Sequence, residues 1–492
     1  MSLKLKSSKL RLLIWASLPF CGYSLAETTQ TVQTSQVSKA IEFSQAWSIL
    51  QDNNNSLAAE RSNVERYQYL QEATDSLNYP KITLGASYTR LDDDIVLSGR
   101  EVLKNTTIPS SLPPAYGTAI KDLAQALKLG DIQTKLENQD VFSSSIRAVW
   151  PIFTGWRISA AQSGAEGKKR AAVSQMQMET QARYEDLSRY FFSVLLTERV
   201  VQTRQAMVDG LRQHQQNALK LEQQGQIAHV EKLQADVSLK QAEVELKKAQ
   251  KSLEIAQSAL TQVLNMGQNV RPKGRLFVNA KLPPLATFLD QTLATYPGLS
   301  LLDAKEKQAR SLIEAERGRY YPDVYMFGNY DLYQEDSLVG DLKPDWLVGV
   351  GVNVPLMDTS GRSEKVQAAK SALRQVRFLK EQARQDLRVL VEKTYQEAEQ
   401  ALDEVNGLET SLQLADENLR LRQKAFSQGL NTSVDVVDAQ LFQASVRTQQ
   451  ALASFEYLMA LNKLLALTNS MTDFKRYEQT AVVIKAVNEI QK

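Results

Sequence analysis

YPKITLGASYTR (residues 79–90) decides the reading of this chain, because it is written again as YPDVYMFGNYDL (residues 321–332). Both copies open on Tyr-Pro, with Tyr79 and Tyr321 lying 242 positions apart (321 − 79). Leu57 upstream recurs as Leu299 at the same spacing. Downstream, Pro151 recurs as Pro355 and Gly225 as Gly429, both at a spacing of 204 (355 − 151 and 429 − 225). Two halves therefore share one plan, and the first holds 38 extra residues between its anchors (242 − 204). An internal repeat fixes architecture before any local feature does. Each half reads as short helix, strand, strand, very long helix, turn, long helix.

The strands show themselves by alternation with period two. In the first, Ile82, Leu84, Ala86 and Tyr88 share one face, opposite Thr83, Gly85, Ser87 and Thr89. The second sets Phe142, Ile146, Ala148 and Trp150 opposite Ser143, Ser145 and Arg147. The third sets Val324, Met326, Gly328 and Tyr330 opposite Tyr325, Phe327 and Asn329. The fourth sets Trp346, Val348, Val350, Val352 and Val354 opposite Leu347, Gly349, Gly351 and Asn353. Each has about the length of a tilted membrane strand, roughly 9–11 residues. Tyr88, Trp150, Tyr330 and Trp346 stand near strand ends, where an interfacial aromatic belt belongs. A water-soluble sheet with one buried face would also alternate, but here the second faces are largely small or polar. Four strands cannot close a barrel, and an open sheet edge in lipid leaves backbone groups unpaired. Spanning strands must then be pooled: two copies give eight, three give twelve.

The rest of each half is helical. No proline interrupts residues 155–225, and a rod of that length at about 1.5 Å per residue reaches roughly 100 Å. The segment 361–429 is nearly as long. Apolar residues recur every seven: Leu187, Val194, Val201, Val208; Leu239, Leu246, Leu253, Leu260; Val405, Leu412, Leu419, Phe426. That spacing marks coiled-coil packing along narrow seams. Gly225 and Gly429 punctuate the hairpins, where a left-handed residue would end the outgoing helix. Return helices are expected near His229 and Ser433, the latter capped by the Asn431-Thr432-Ser433 run. The extra residues of the first half, 91–140, form an exposed loop with an expected short helix around 119–129. A short strand is expected at 275–278.

The N-terminus reads as an export leader. Lys4, Lys6, Lys9 and Arg11 precede an apolar stretch over 12–21, and Ser24-Leu25-Ala26 fits a small-x-small cleavage site. The chain thus divides into a leader (1–26), a first repeat (27–270), a linker with the second repeat (271–470) and a tail (471–492). The first repeat carries strands at about 81–90 and 141–150 and a helical hairpin over 156–264. The second carries strands at about 323–331 and 346–354 and a hairpin over 361–468. Cleavage removes Cys21, the single cysteine, so the mature protein has no disulfide. It also removes four of the 58 basic residues, leaving 54 against 56 acidic ones. That balance gives no support to nucleic-acid binding.

Reactive chemistry is missing from the pattern. The two histidines, His214 and His229, sit in polar helical context without the partners a metal site or catalytic base needs. They read as solvated or hairpin-tip residues. Gly349-x-Gly351 lies in a strand and lacks the remainder of a nucleotide loop. No nucleophile motif or phosphate loop occurs, so the reading is a non-enzyme without cofactor. Asp435 and Asp438, three apart, share a face at the start of a helix, and Glu231 holds a similar place in the first hairpin. Stabilisation by the helix dipole explains carboxylates there. A ring of carboxylates at the narrow end of a tube, favouring cations, explains them as well.

The segments FSQGLNTSVDVVDAQ (426–440) and GQIAHVEKLQA (225–235) resemble the two hairpin signatures of TolC-like outer membrane efflux proteins. The Tyr-Pro pairs before strands one and three, and Trp150-Pro151 and Val354-Pro355 after strands two and four, fit the same family. The resemblance spans nearly all of the mature chain, and its force lies in the order and double occurrence of the motifs. It implies a mainly helical homotrimer with a small β part: a shared twelve-stranded outer-membrane β-barrel continuous with a periplasmic α-helical barrel. It further implies a passive exit duct for a tripartite efflux pump or type I secretion system. Such a duct docks on a periplasmic adaptor and an inner-membrane RND or ABC transporter. By the resemblance, Asp435 and Asp438 align with the acidic aperture gate and Glu231 with its acidic partner. Gly225, Gly429, Leu430 and Asn431 mark the docking tips. Asn431 stands where the archetype has a basic latch residue, and Phe426 where it has a tyrosine. A periplasmic coiled-coil scaffold without a pore is the alternative reading.

Overall fold

The computed structural model describes residues 39–483 apart from 106–113, 335–339, 341–342 and 358. The expected leader, the proline-rich turn before residue 114 and the end of the tail lie outside the described residues. The first half runs β1 (Lys39–Ile41), α1 (Phe43–Asn53), α2 (Asn55–Asp75) and β2 (Lys81–Arg90). An insertion follows: β3 (Ile95–Ser98), α3 (Gly99–Asn105), α4 (Pro114–Ala126) and β4 (Gln133–Glu137). Then come β5 (Asp140–Phe153), α5 (Arg157–Gln223) and α6 (His229–Val263). The second half runs β6 (Val270–Pro272), β7 (Phe277–Val278), α7 (Leu285–Thr295), α8 (Pro297–Gly318), β8 (Asp323–Gln334) and β9 (Trp346–Asn353). It ends with α9 (Arg362–Ser427), α10 (Ser433–Leu467), α11 (Phe474–Gln479) and β10 (Val482–Val483).

The duplication is visible in the element bounds. α1 and α7, α2 and α8, and β2 and β8 each start 242 residues apart. α6 and α10 both start and end 204 apart. The insertion is more ordered than a loop with one helix. Its β3–β4 ribbon, bulged between Ile95 and Val96, follows on from the β2–β5 pair, and Lys135 meets Asp94 there at 2.8 Å. Its longer helix starts at Pro114, earlier than the expected 119, because proline is preorganised for the first turn of a helix.

β2, β5, β8 and β9 form an antiparallel meander in that order. The register stacks Leu84, Ile146 and Tyr330 across three strands, and Tyr330 faces Trp346 on the fourth. One face is thus an apolar band. Leu84 is 71% exposed and Val348 66%, so nothing among the described residues covers it. The other face is small and polar, with Tyr325 and Phe327 lying across Gly351 and Gly349. A Cβ on Gly351 would fall 2.5 Å from the Tyr325 ring. The glycine pair thus makes room for two aromatic rings, a device that also fixes strand register. Among the described residues, β2 and β9 each have one unpaired edge.

Below the sheet, α5 packs against α2, α6, α8 and α10, while α9 packs against α8 and α10. No helix among the described residues is long and apolar enough to cross a membrane. The largest core lies midway along the rods. Phe43 touches Tyr184, Phe191, Phe192 and Phe474 with ring centroids 4.7–5.5 Å apart. Two short sheets seal this girdle. β1 runs parallel to β6, and β10 pairs with β7. The expected strand at 275–278 is confined to Phe277–Val278, and its partner comes from the tail. Two buried tyrosines there are hydrogen-bonded: the Tyr184 hydroxyl donates to Asn462 Oδ1 at 2.7 Å and that of Tyr457 to Asn279 Oδ1 at 3.0 Å.

Candidate functional site

The two hairpin tips are built alike. α5 ends with Gly225 at φ +71°, and α9 with Gly429 at φ +69°. In the first, Gly225 N–H donates to Glu222 O and Gln226 N–H to Leu221 O, both at 2.9 Å. In the second, Gly429 N–H donates to Phe426 O and Leu430 N–H to Ala425 O, again at 2.9 Å. This paired closure of the last helical carbonyls requires a left-handed residue, which glycine adopts without strain. Leu430, 74% exposed, forms the second tip with the half-buried Asn431.

The return helices begin differently. Thr432 caps α10. Its Oγ1 accepts the Asp435 N–H, and the Asp435 carboxylate accepts the Thr432 N–H at 3.0 Å and its hydroxyl at 2.7 Å. Arg422 of α9 donates to the other Asp435 oxygen at 3.2 Å. Hydrogen bonds from the Thr432 side chain, then its backbone, hold the Asp435 carboxyl below the usual carboxylate range. Asp435 is therefore half-buried and engaged. Asp438, one turn on, is exposed and has no ion-pair or hydrogen-bond partner among the described residues. In α6 the N-cap is Ala228, which offers no side-chain cap. Glu231 in its first turn reaches instead across to the other hairpin and accepts the Ser433 N–H at 2.6 Å.

Ser433 is also where the histidine reading changes. His214 is not solvated: it is buried, 4% exposed, with Nε2 2.6 Å from Ser433 Oγ. Its ring lies 4.5 Å from that of Phe426. Burial pushes the imidazole down to about 4, so it is neutral near pH 7. His229 does sit at a tip, exposed, 2.5 Å from Glu222. Ser433 thus ties three segments together: Glu231 holds its amide and His214 its hydroxyl, with Phe426 packed over the imidazole. The polar sequence around His214 hid this. Only the helical step from Leu211, which shares its buried face, points to it.

At the opposite end, the four expected interface aromatics all lie on the apolar face of the sheet. Tyr88 donates to Asp140 at 2.7 Å and Tyr330 faces Trp346, both toward one rim. Trp150 lies toward the other rim and donates to Asn78 O at 2.8 Å. The eight steps from Phe142 to Trp150 cover about 26 Å of strand, enough for a tilted crossing of an outer membrane.

Comparison with known proteins converges on one family. The model described as "Outer membrane efflux protein" matches residues 47–266 and 288–470, well over half of the chain. No curated protein sequence matches. Among solved structures, the open-state MtrE outer membrane channel of Neisseria gonorrhoeae superposes with a TM-score of 0.67 at 16% identity, over 87% of this chain and 89% of that one. The outer membrane protein VceC of Vibrio cholerae gives 0.67 at 13% identity, over 87% and 96%. The CmeC outer membrane channel of Campylobacter jejuni gives 0.64 at 12% identity, over 94% and 98%. The chain belongs to the outer membrane efflux protein family and is an outer-membrane efflux channel protein that extends into the periplasm.

Proposed function

We propose that three copies of this chain close a twelve-stranded barrel over a single helical tunnel, and that the assembly is the passive exit duct of a tripartite efflux pump or type I secretion system. The observation that carries this is the sheet with two open edges and a lipid-compatible face. In hydrocarbon those edge groups need partners, and a ring of identical subunits supplies them. The helices give independent support. Val230, Val237 and Val244 form an uncovered seven-residue stripe on α6, 64%, 61% and 52% exposed. Leu414 and Leu421 on α9 form another, 67% and 50% exposed. Two such stripes on opposite hairpins suit a seam between neighbouring protomers. The hairpin tips then ring the inner aperture. There Asp438 and Asp435 face the passing solute, and a periplasmic adaptor with an RND or ABC transporter engages Gly225, Gly429, Leu430 and Asn431.

Because mature protein lacks cysteine, engineered pairs report on the seam cleanly. Single cysteines introduced along β2 and β9, oxidised in outer-membrane vesicles, should yield covalent dimers and trimers on denaturing gels. A protein that stays monomeric for every pair, or is released by a salt wash, refutes the duct and favours a periplasmic scaffold.

A further inference from the structure

The face of the sheet opposite the apolar band carries two cations with no partner among the described residues. Arg147 on β5 and Lys81 on β2 are both exposed, and neither side chain makes an ion pair or hydrogen bond among the described residues. The register sets them close together. Arg147 pairs with Thr83 and Val149 with Lys81, so the two cations are diagonal neighbours on one face, about 7–8 Å apart. The carboxylates nearby are already neutralised. Asp323 is bound by Arg157, and Asp331 is held by Lys343 at 2.7 Å and by Asn329 at 2.8 Å. Phe327 faces Val149 in the Lys81 row, its ring lying across Gly349. A half-buried aromatic ring therefore adjoins a positive pair that is unbalanced among the described residues.

We propose that Arg147 and Lys81 form a cationic belt inside the barrel which, with Phe327, binds organic anions bearing an aromatic or apolar body. The inference rests on the trimeric duct, since the small, polar face lines a lumen only if the apolar face meets lipid. Three protomers place six unpaired cations at one level of the lumen. Solutes passing within about 8 Å of the wall, one Debye length at physiological salt, feel a field that is not screened out. Converging like charges in a confined passage enrich counter-ions. A carboxylate or sulfonate pairs with the guanidinium, which offers a planar fork of donors, while its apolar body lies on the Phe327 ring. The belt lies at the far end of the duct from the acidic tips. Anionic amphiphiles, rather than ions in general, are the class it holds.

The test uses full-length trimer in planar bilayers, with benzoate and acetate as probes. Arg147→Gln with Lys81→Gln should lower the chloride-to-potassium permeability ratio roughly threefold. The benzoate concentration for half-block should rise roughly fivefold, the size of a modest ion-pair contact. Arg147→Lys, which keeps the charge, should retain the wild-type permeability ratio. Phe327→Leu should weaken benzoate block and leave acetate unaffected. A double variant that conducts with wild-type selectivity and wild-type benzoate block overturns the belt alone. Wild-type protein that forms no channel overturns the duct reading and the belt with it.

Discussion

Glu231, in the first turn of one return helix, accepts the backbone N–H of Ser433, in the first turn of the other, at 2.6 Å. It joins two hairpins that are distant in sequence. A hydrogen bond to a charged acceptor contributes about 1.5–3 kcal/mol. Removing it should therefore loosen the tips against each other. We expect Glu231→Ala to raise the resting single-channel conductance and Glu231→Gln, which keeps an acceptor, to raise it less. Equal conductance in all three proteins would remove this contact from the closing mechanism.

His214 gives the same junction a pH dependence. Its folded value of about 4 lies below the ordinary 6.5, so an opened tip binds more protons between those limits. The closed packing is then fully stable above about 6.5 and weakens as pH falls toward 4, by ~3 kcal/mol in all at 1.36 kcal/mol per unit. Resting conductance should rise over that window. His214→Gln keeps a hydrogen-bonding group beside Ser433 but cannot titrate, so the rise should flatten. An identical pH profile in the two proteins would exclude the histidine as its source.

The two aspartates should separate experimentally. Asp438 is exposed and unengaged among the described residues, so Asp438→Asn should reduce cation selectivity while leaving thermal stability within about 0.5 kcal/mol of wild type. Asp435 closes a capping box and meets Arg422, so Asp435→Ala should cost about 1 kcal/mol of local helix stability as well. Reversal potentials and hydrogen exchange at the start of α10 distinguish the two effects. Matching exchange rates in both variants would show that the cap contributes nothing.

What could be read from the sequence follows the range of each signal. Tyr79-Pro80 and its copy, the period-two strands and the seven-residue seams are local patterns. They carried the duplicated strand and helical-hairpin plan to the family. The girdle was less legible because its pairings are non-local. β1 and β10 are three and two residues long, too short for periodicity, and exist only because Val270–Pro272 and Phe277–Val278 lie beside them. The tip junction was missed for a related reason. His214 and Ser433 are 219 positions apart, and polar neighbours on the exposed side of α5 mask the one buried face. The Gly349 and Gly351 pair reads from sequence as strand without a nucleotide loop, but its purpose shows only in the cross-strand register, which sets Phe327 and Tyr325 over it.

Phe43 tests whether the girdle and tail stabilise the rods as one unit. It is 4% exposed and meets four aromatic rings, one of them Phe474 in the tail helix at 4.7 Å. Truncating a buried phenylalanine costs about 3–5 kcal/mol through lost burial and the cavity left behind. Phe43→Ala should therefore lower the melting temperature of the assembled protein. It should also expose the segment after Phe474 to protease, while Phe43→Leu, which refills much of the space, should do so far less. Removing the tail from residue 474 onward should reproduce the alanine phenotype. If the truncated protein melts like the wild type, the tail is a passenger and the mid-rod core holds without it.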